Sequence, residues 1–318
     1  MQNPHCPDCN STTKKYGKDK LGNQRFYCNS CQKAFIPNKK EIRLEKSKTL
    51  RCLNLLVEGN SIRATERVTD VHRDTILHLL NVVGGHCQKL MDEKIVNIPL
   101  ERIEADEIWG FVQKKEGHKY TMEEIENERI GDAYTFIGIE ANTKLVVCFL
   151  LGRHNLESAI KFTEKLKRAS DERFQLTTDG LRAYIEAVEH TFGAEVDYAM
   201  LVKKYKSDET KSFNRRYSPS DFVNAQKVTV TGNPDRKFIT TSYVERQNLT
   251  MRVSRHRLTR LTNGFSKKWK NLEKTLSLHF AYYNFCRVHK SLRVTPAMEA
   301  GLTDHIWNLE ELTRATFN

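Results

Sequence analysis

Two closely spaced pairs of cysteines near the start of the chain place the tightest constraint on how its first segment folds. The two C-x2-C pairs, separated by 18 residues, are formed by Cys6, Cys9, Cys28 and Cys31. This spacing is typical of a zinc ribbon, in which four thiolates bind one Zn²⁺. About 35 residues are too few to build a stable hydrophobic core, so a metal would supply the missing stability. We predict a structural zinc ribbon over residues 1–37, with four free thiols, or His5 as a substitute ligand, as alternatives.

Composition and charge narrow the class of protein further. The chain of 318 residues is 39% hydrophobic with a formal net charge of +12, which excludes a disordered chain and favours an acidic partner such as nucleic acid. The remaining cysteines are scattered singly, as reduced core thiols would be. No apolar run in the sequence is long enough to cross a membrane, and the first residues lack an apolar signal segment. We expect a cytoplasmic protein with no membrane partner.

A helical pattern with a central break follows the cysteine-rich segment. Ser61 is a candidate N-cap for a helix that reaches Val68, and a second helix begins at His72 after a short break. Two short helices joined in this way are typical of a helix-turn-helix, whose second helix enters the major groove of DNA. We predict this DNA-binding unit over residues 38–98, with an ordinary helical hairpin as the alternative. The residues of the second helix that we expect to read bases are Arg73, Asp74 and His78.

From residue 99 onward the pattern becomes mixed. Segments rich in β-branched and aromatic residues predict strands, and amphipathic segments predict helices. The predicted strands occupy residues 103–111, 133–140, 144–151 and 174–178, and the predicted helices occupy residues 155–168 and 181–192. Three strands followed by helix, strand and helix indicate a mixed α/β domain with an antiparallel start.

Three acidic residues stand where separate elements of this domain could assemble a metal site. Asp106 lies inside an otherwise apolar strand, Asp179 ends a later strand, and Glu245 lies near the start of a helix predicted for residues 242–258. A carboxylate in an apolar strand needs a partner or a metal, although any one of the three alone is more often a cap or a surface group. Carboxylates that converge from two strands and a helix suit Mg²⁺, and two such ions can promote displacement at a phosphodiester.

The stretch after Glu245 is strongly basic. Residues 246–270 contain eight Lys and Arg side chains and no acidic one, a balance that can neutralise DNA phosphates beside a metal site. We expect Arg252, on the helical face of Glu245, to contact a phosphate. Further DNA contacts are expected from Arg246, Arg255 and His256. The sequence has no G-x-x-x-x-G-K-[ST], G-x-S-x-G or H-E-x-x-H motif, so P-loop nucleotide hydrolysis, serine esterase chemistry and zinc proteolysis lack support.

Several motifs resemble those of one known family. The matching motifs are QRFYC at 24–28, RATERV at 63–68, DEIWGFV at 106–112, TDG at 178–180 and VERQNLTMR at 244–252. Together with the cysteine pairs they resemble the insertion sequence one family of bacterial DDE transposases, in the same order and over most of the chain. The resemblance implies a ribonuclease-H-like catalytic domain at 99–290 and a C-terminal tail at 291–318. The acidic triad that it implies is Asp106, Asp179 and Glu245.

The resemblance also implies an activity and its partners. Such an enzyme binds the inverted repeats at the ends of its own element, then cuts and joins DNA strands with two Mg²⁺ ions, for which Mn²⁺ can substitute. Its partners would be double-stranded DNA and at least one further copy of the chain, and its location would be the nucleoid in the bacterial cytoplasm. A DNA-binding regulator without catalysis and a ribonuclease-H-like nuclease are the alternatives.

One interval departs from the pattern of the family's best-known members. The segment between Asp179 and Glu245 is much longer than theirs, so residues of about 203–241 are expected to be an insertion. The first part of this segment, residues 203–216, has a net positive charge and is predicted to touch DNA. Because this interval is long, the third carboxylate of the triad is open to alternatives. The motif favours Glu245, and the other candidates are Glu186, Glu189 and Glu209.

Overall fold

The structure, a computed structural model, describes residues 3–7, 9–19, 22–37, 44–205, 222–259 and 263–314. They form two compact units, one in the N-terminal 43 residues and one from Leu44 onward. Glu209 and residues 206–216 of the predicted insertion lie outside the described residues.

The N-terminal unit is a small antiparallel sheet. Its strands are β1 (Thr13–Lys18), β2 (Gln24–Cys28) and β3 (Lys33–Phe35), with β2 in the centre. Phe26 on β2 contacts Phe35 on β3, with 6.2 Å between the ring centroids. Most side chains of β1 and β3 are exposed. Apolar burial therefore contributes little to the stability of this sheet.

The second unit begins with three helices, α1 (Lys46–Val57), α2 (Ile62–Thr69) and α3 (Arg73–Lys94). Ser61 caps α2 as predicted, because its hydroxyl oxygen accepts a hydrogen bond from the backbone N–H of Ala64 at 3.1 Å. Asp70 ends α2 in the left-handed conformation, with φ of 55°. Three residues separate α2 from α3. Helix α3 then continues without a break through two glycines, Gly84 and Gly85.

A mixed sheet of six strands forms the centre of this unit. Its strands are β4 (Arg102–Val112), β5 (Gly131–Glu140), β6 (Val146–Gly152), β7 (Gln175–Thr178), β8 (Asp197–Tyr205) and β9 (Phe222–Thr231). The helices between them are α4 (Met122–Glu126), α5 (Leu156–Ala169) and α6 (Ala183–Phe192). The strand order is β6-β5-β4-β7-β8-β9, in which β4–β7 and β7–β8 are parallel and the other pairs are antiparallel. The prediction of a mixed α/β fold with an antiparallel start is confirmed.

In the described residues after the sheet, the α-helices are α7 (Ser242–Ser254), α8 (Trp269–Phe285), α9 (Pro296–Glu299) and α10 (Leu309–Leu312). α7 ends before the predicted residue 258 because the side chain of Arg255 turns into the interior, where it is 6% exposed. The Arg255 guanidinium donates hydrogen bonds to the backbone carbonyls of Leu56 and Val57 at the end of α1, and to Nδ1 of His279 on α8. One buried side chain thus joins α1, α7 and α8.

The packing of α3 on α8 depends on a glycine. A Cβ atom added at Gly84 would lie 2.4 Å from the backbone oxygen of Lys274, so the two helices approach as closely as they do because Gly84 has no side chain. On either side of this point, Asn81 donates a hydrogen bond to Asn271 at 3.0 Å and Lys274 donates one to Gln88 at 2.6 Å. The first three helices are therefore packed against the helices that flank the sheet.

Among the helices in the part of the chain that the structure describes, none combines the length and the apolar character that crossing a membrane requires.

We predict that Gly84→Ala destabilises the protein and that Gly85→Ala does not. At Gly84 the added methyl group forces α3 and α8 apart, which should lower the free energy of unfolding by about 1–3 kcal/mol. At Gly85 a Cβ atom meets nothing within 4 Å, so the better helix propensity of Ala should stabilise α3 by up to about 1 kcal/mol. Urea unfolding of both variants measures the difference, and equal effects would contradict the close approach.

Candidate functional site

The four N-terminal cysteines meet at one point. Their sulfur atoms, from Cys6, Cys9, Cys28 and Cys31, lie within 4.8 Å of one another. The backbone N–H of Cys31 donates a hydrogen bond to the Sγ atom of Cys28 at 3.4 Å. Cys6 and Cys28 are buried, whereas Cys9 is exposed. Four converging thiols are the donor set that structural zinc sites use.

Neighbouring thiols of the cluster influence each other's ionisation. The hydrogen bond with Ser11 lowers the pKa of the Cys9 thiol to about 6, whereas the hydrogen bond with Cys9 raises the pKa of Cys31 to about 12. Ionisation of one sulfur therefore makes ionisation of its neighbour unfavourable. A divalent cation favours the thiolate form at every ligand, so these residues fit Zn²⁺.

Asp106 and Asp179 are neighbours on two parallel strands. β4 and β7 pair in register as far as Ala105 and Thr178, so each aspartate is the next residue along its own chain. Asp106 accepts a hydrogen bond from the side-chain amide of Asn248 on α7 at 2.8 Å, and Asp179 accepts one from the backbone N–H of Leu181 at 3.0 Å. The structure brings together these two residues of the predicted triad.

A third carboxylate, which the sequence analysis did not single out, lies beside them. Carboxylate oxygens of Asp106, Glu107 and Asp179 lie within 4.8 Å of one another, and we call these three residues the carboxylate cluster. Glu107 accepts a hydrogen bond from the hydroxyl of Tyr184 on α6, a side chain with no exposed surface. The signal that could have found Glu107 is its position as a further carboxylate in a strand whose other residues are mostly apolar.

Burial and mutual repulsion favour the neutral form of the carboxylate cluster. Burial, together with the charge of Asp179, raises the pKa of Asp106 to about 7. Burial likewise raises the pKa of Asp179, and it raises the pKa of Glu107 well above its ordinary value. A divalent cation would relieve this repulsion, and carboxylate oxygens are the ligands that Mg²⁺ and Mn²⁺ prefer. The donor set of the cluster therefore fits either ion.

Glu245 lies close to the carboxylate cluster without belonging to it. The Glu245 carboxylate forms an ion pair with Lys203 of β8 and accepts a hydrogen bond from the hydroxyl of Thr241 at 2.5 Å. After burial, its negative charge is among the causes that raise the pKa of Asp106 and of Asp179. The alternative ligands Glu186 and Glu189 are exposed on α6 and also lie outside the cluster.

A second residue that the sequence analysis missed fixes the helix that carries Glu245. The side chain of Glu104 is 2% exposed, and its carboxylate accepts hydrogen bonds from the backbone N–H groups of Tyr243 and Val244 at 2.6 and 3.1 Å. These groups belong to the first turn of α7, where a negative charge is favourable. Glu104 and Asp106 project from the same face of β4, so both side chains meet α7. Their two-residue spacing in the sequence was the signal for a shared face.

A basic groove of about 670 Å³ lies between the first three helices and the chain after α7. We call it the recognition groove. Its basic lining residues are Arg63, Arg73, Arg255, His256, Arg257 and Lys267. No acidic side chain is among the described residues that line it. A concave surface of one charge sign suits a phosphodiester backbone.

The residues predicted to contact DNA are differently placed. Arg73, Asp74 and His78 are exposed in the first two turns of α3, and Arg246 and His256 are also exposed. Arg252 is half-buried and donates a hydrogen bond to the backbone oxygen of Leu258 at 3.1 Å. Arg255 differs from the expectation, because its guanidinium is buried and bonded to carbonyls of α1. The position of Arg255 is that of a structural residue at the base of the groove.

Comparisons with known proteins give limited similarity. No protein-family model matches the sequence, and no curated protein matches it. A piggyBac transposase synaptic complex with hairpin DNA is similar with a TM-score of 0.42 and 10% identity, over 88% of this chain and 72% of that one. The Mos1 mariner paired end complex with Mn has a TM-score of 0.20 and 15% identity, over 51% and 60% of the two chains. The Mos1 strand transfer complex has a TM-score of 0.21 and 10% identity, over 76% and 78%. Scores this low do not by themselves establish a shared fold or function.

We predict that the protein binds one zinc ion through the four N-terminal thiols. Cys9→Ser should lose this zinc, because a hydroxyl group is a poor replacement for a thiolate ligand. Cys286→Ser, which changes a cysteine outside the cluster, should retain it. Elemental analysis of protein purified without chelators measures the content, and a zinc-free wild-type protein would overturn the assignment.

We predict that Asp106→Asn stabilises the protein and that the gain grows with pH. Because the folded-state pKa of Asp106 is about 7 and the ordinary value is 3.8, ionisation costs stability as pH rises through this interval. Asn removes that cost, and the buried oxygen of Asn248 can accept a hydrogen bond from the new amide. The gain should reach about 1–3 kcal/mol near pH 8 and be smaller near pH 5.

Thermal unfolding at the two pH values measures this gain. Asp171→Asn removes the same charge from an exposed turn and serves as the matched control. A pH-independent effect of Asp106→Asn, or an equal effect of Asp171→Asn, would refute the raised pKa of Asp106 as the cause.

Proposed function

We propose that the protein is a DDE-type transposase that uses Mg²⁺ to cleave DNA at the ends of its own element and to join those ends to target DNA. The observation that carries this proposal is the carboxylate cluster, formed by the middle of β4 and the residue that follows β7, with Glu245 on the helix that packs against β4. Acids brought together from adjacent parallel strands fit divalent metal-ion chemistry at a phosphodiester. The motif resemblance to the insertion sequence one family supports the same assignment.

The arrangement of the sheet supports a ribonuclease-H-like catalytic domain. Three antiparallel strands, β4 to β6, come first, and β7 and β8 then extend the sheet in parallel on the other side of β4. The first and fourth strands of this series carry Asp106 and Asp179, and the helix that carries Glu245 comes after the sheet.

The chain's own residues would prepare this site. Mg²⁺, held by Asp106, Asp179 and Glu245, would activate an attacking oxygen and stabilise the leaving oxygen during phosphodiester displacement. Asn248 orients Asp106 through its amide hydrogen bond, and Glu104 holds α7 in place. Lys203 balances the charge of Glu245 in the present arrangement.

We assign Glu107 a different role from that of the triad. Burial raises its pKa well above the ordinary value, and its hydrogen bond with Tyr184 ties it to α6. The Glu107 carboxylate is thus engaged with a buried tyrosine beside Asp106 and Asp179, whereas Glu245 is exposed where DNA and metal can reach it. The third ligand in this proposal is therefore Glu245.

DNA-end recognition would fall to the N-terminal part of the chain. We propose that the four cysteines hold Zn²⁺ in a ribbon and that α2 and α3 form a helix-turn-helix. Exposed Arg73, Asp74 and His78 would read bases, while the recognition groove takes the backbone. An oligomer is required because two element ends are joined to one target.

The test is cleavage of a labelled duplex that carries the DNA flanking the gene. We predict Mg²⁺-dependent cleavage confined to one boundary sequence. Asp106→Ala and Glu245→Gln should each slow this cleavage by about 100-fold or more while leaving DNA binding intact, because each removes several kcal/mol of metal-dependent stabilisation. Glu107→Gln, which keeps a neutral side chain, should lower the rate less.

Asp171→Ala, an exposed acid remote from the cluster, is the control and should cleave like the wild type. Substantial cleavage by Asp106→Ala would refute the metal site. Specific binding without cleavage by the wild type would instead favour a DNA-binding regulator, and cleavage of RNA hybrids or branched DNA without any end sequence would favour a nuclease.

A further inference from the structure

A second basic groove, distinct from the recognition groove, runs along the side of α7. It has a volume of about 710 Å³ and lies between α7, the β5–β6 turn and the chain that follows α8. We call it the α7–α8 groove. Its lining includes Lys144, Arg246, Gln247, Arg287, His289 and Lys290. The described residues that line it include no acidic side chain.

This groove faces away from the candidate active site. Gln247 and Thr250, which line it, project from the side of α7 opposite Glu245, as the helical repeat requires. Asn248, which bonds Asp106, does not line the groove. A ligand in the α7–α8 groove would therefore contact the back of the helix that carries Glu245.

The groove concentrates uncompensated positive charge. Arg246, Arg287 and Lys290 are exposed. Burial, together with the charges of Lys144 and Arg287, lowers the pKa of His289, so this ring tends to be neutral beside the cations. Several cations held together without an acidic partner repel one another, and an anionic ligand would relieve that repulsion.

A buried polar group supplies a second, independent observation. The Gln247 side chain is 4% exposed, and its amide nitrogen has no hydrogen-bond partner among the described residues. A buried donor without a partner costs stability, and a ligand that lies against this wall of the groove would offer it an acceptor. Phosphate oxygens are acceptors that suit both an amide and the surrounding cations.

We propose that the α7–α8 groove binds the sugar–phosphate backbone of one strand of duplex DNA, as a second DNA site on the opposite side of α7 from the carboxylate cluster. The choice of DNA as the anion rests on the proposed function. The wall of the groove is mainly cationic, and Tyr243, its exposed aromatic residue, is covered by the Lys144 ammonium at 3.3 Å from the ring centroid. Contacts between cationic side chains and phosphates hold DNA without discriminating between base sequences.

The test measures binding of a duplex of arbitrary sequence at several salt concentrations, without added Mg²⁺ so that no cleavage enters the result. The variant is Arg287→Gln with Lys290→Gln. Loss of two phosphate contacts should reduce the slope of log binding constant against log salt by about 1.8 and weaken binding on the order of tenfold near physiological salt. Both residues are exposed, so the unfolding midpoint should not change.

The matched control is Lys89→Gln with Lys161→Gln, which removes the same charge from exposed positions that line neither groove. The proposal expects this control to keep the wild-type slope. An equal loss in both double variants would show that net charge alone matters and would overturn the groove. So would a wild-type slope in the Arg287 and Lys290 variant.

The result of this binding test can be distinguished from the result of the DNA cleavage test. If the wild type binds DNA through this groove and never cleaves it with Mg²⁺, the transposase proposal fails and the groove stands. If the wild type cleaves its boundary sequence while the Arg287 and Lys290 variant binds DNA unchanged, the chemistry stands and the groove fails.

Discussion

The arrangement of the second unit depends on how α7 is held by two buried ionisable side chains, an acid at its start and an arginine at its end. At its first turn, the carboxylate of Glu104 accepts hydrogen bonds from two backbone N–H groups. Just beyond its last turn, the guanidinium of Arg255 donates to carbonyls of α1 and to His279. Breaking either set would leave buried hydrogen-bonding groups without partners, which costs about 1–3 kcal/mol. The position of Glu245, and the link from the end of α7 to α1 and α8, both depend on these bonds.

The two sides of α7 face different chemical environments, one acidic and one basic. One side of α7 faces carboxyl groups whose burial and mutual repulsion raise their pKa, as Asp106 illustrates. The other side lines a groove with exposed arginines and a buried amide that has no partner among the described residues. Both arrangements oppose folding when they stand alone, and in our proposals both would be relieved by binding, of a cation on one side and of an anion on the other. This balance is common where function, and not stability, has determined the residues.

Much of this organisation could be predicted from the sequence because it depends on local patterns. Enrichment in β-branched and aromatic residues indicated the strands, Ser61 marked a helix start, Asp106 stood out in an apolar strand, and Asp179 stood at a strand end. Residues whose role depends on distant partners could not be predicted in this way. Arg255 has the appearance of a surface cation until its carbonyl partners on α1, about two hundred positions earlier in the chain, are known. Glu107 lies next to Asp106 in sequence, but its contact with Tyr184 emerges only when α6 packs on the sheet.

The central claim is that Asp106 and Asp179, on adjacent parallel strands, hold a divalent cation. The most direct measurement is anomalous X-ray scattering from crystals of the protein soaked in Mn²⁺, because manganese identifies itself by its absorption edge. The account predicts an anomalous peak within coordination distance of carboxylate oxygens from both aspartates, and no such peak in crystals of Asp106→Asn. Fully occupied Mn²⁺ sites elsewhere, with none between these two residues, would contradict it.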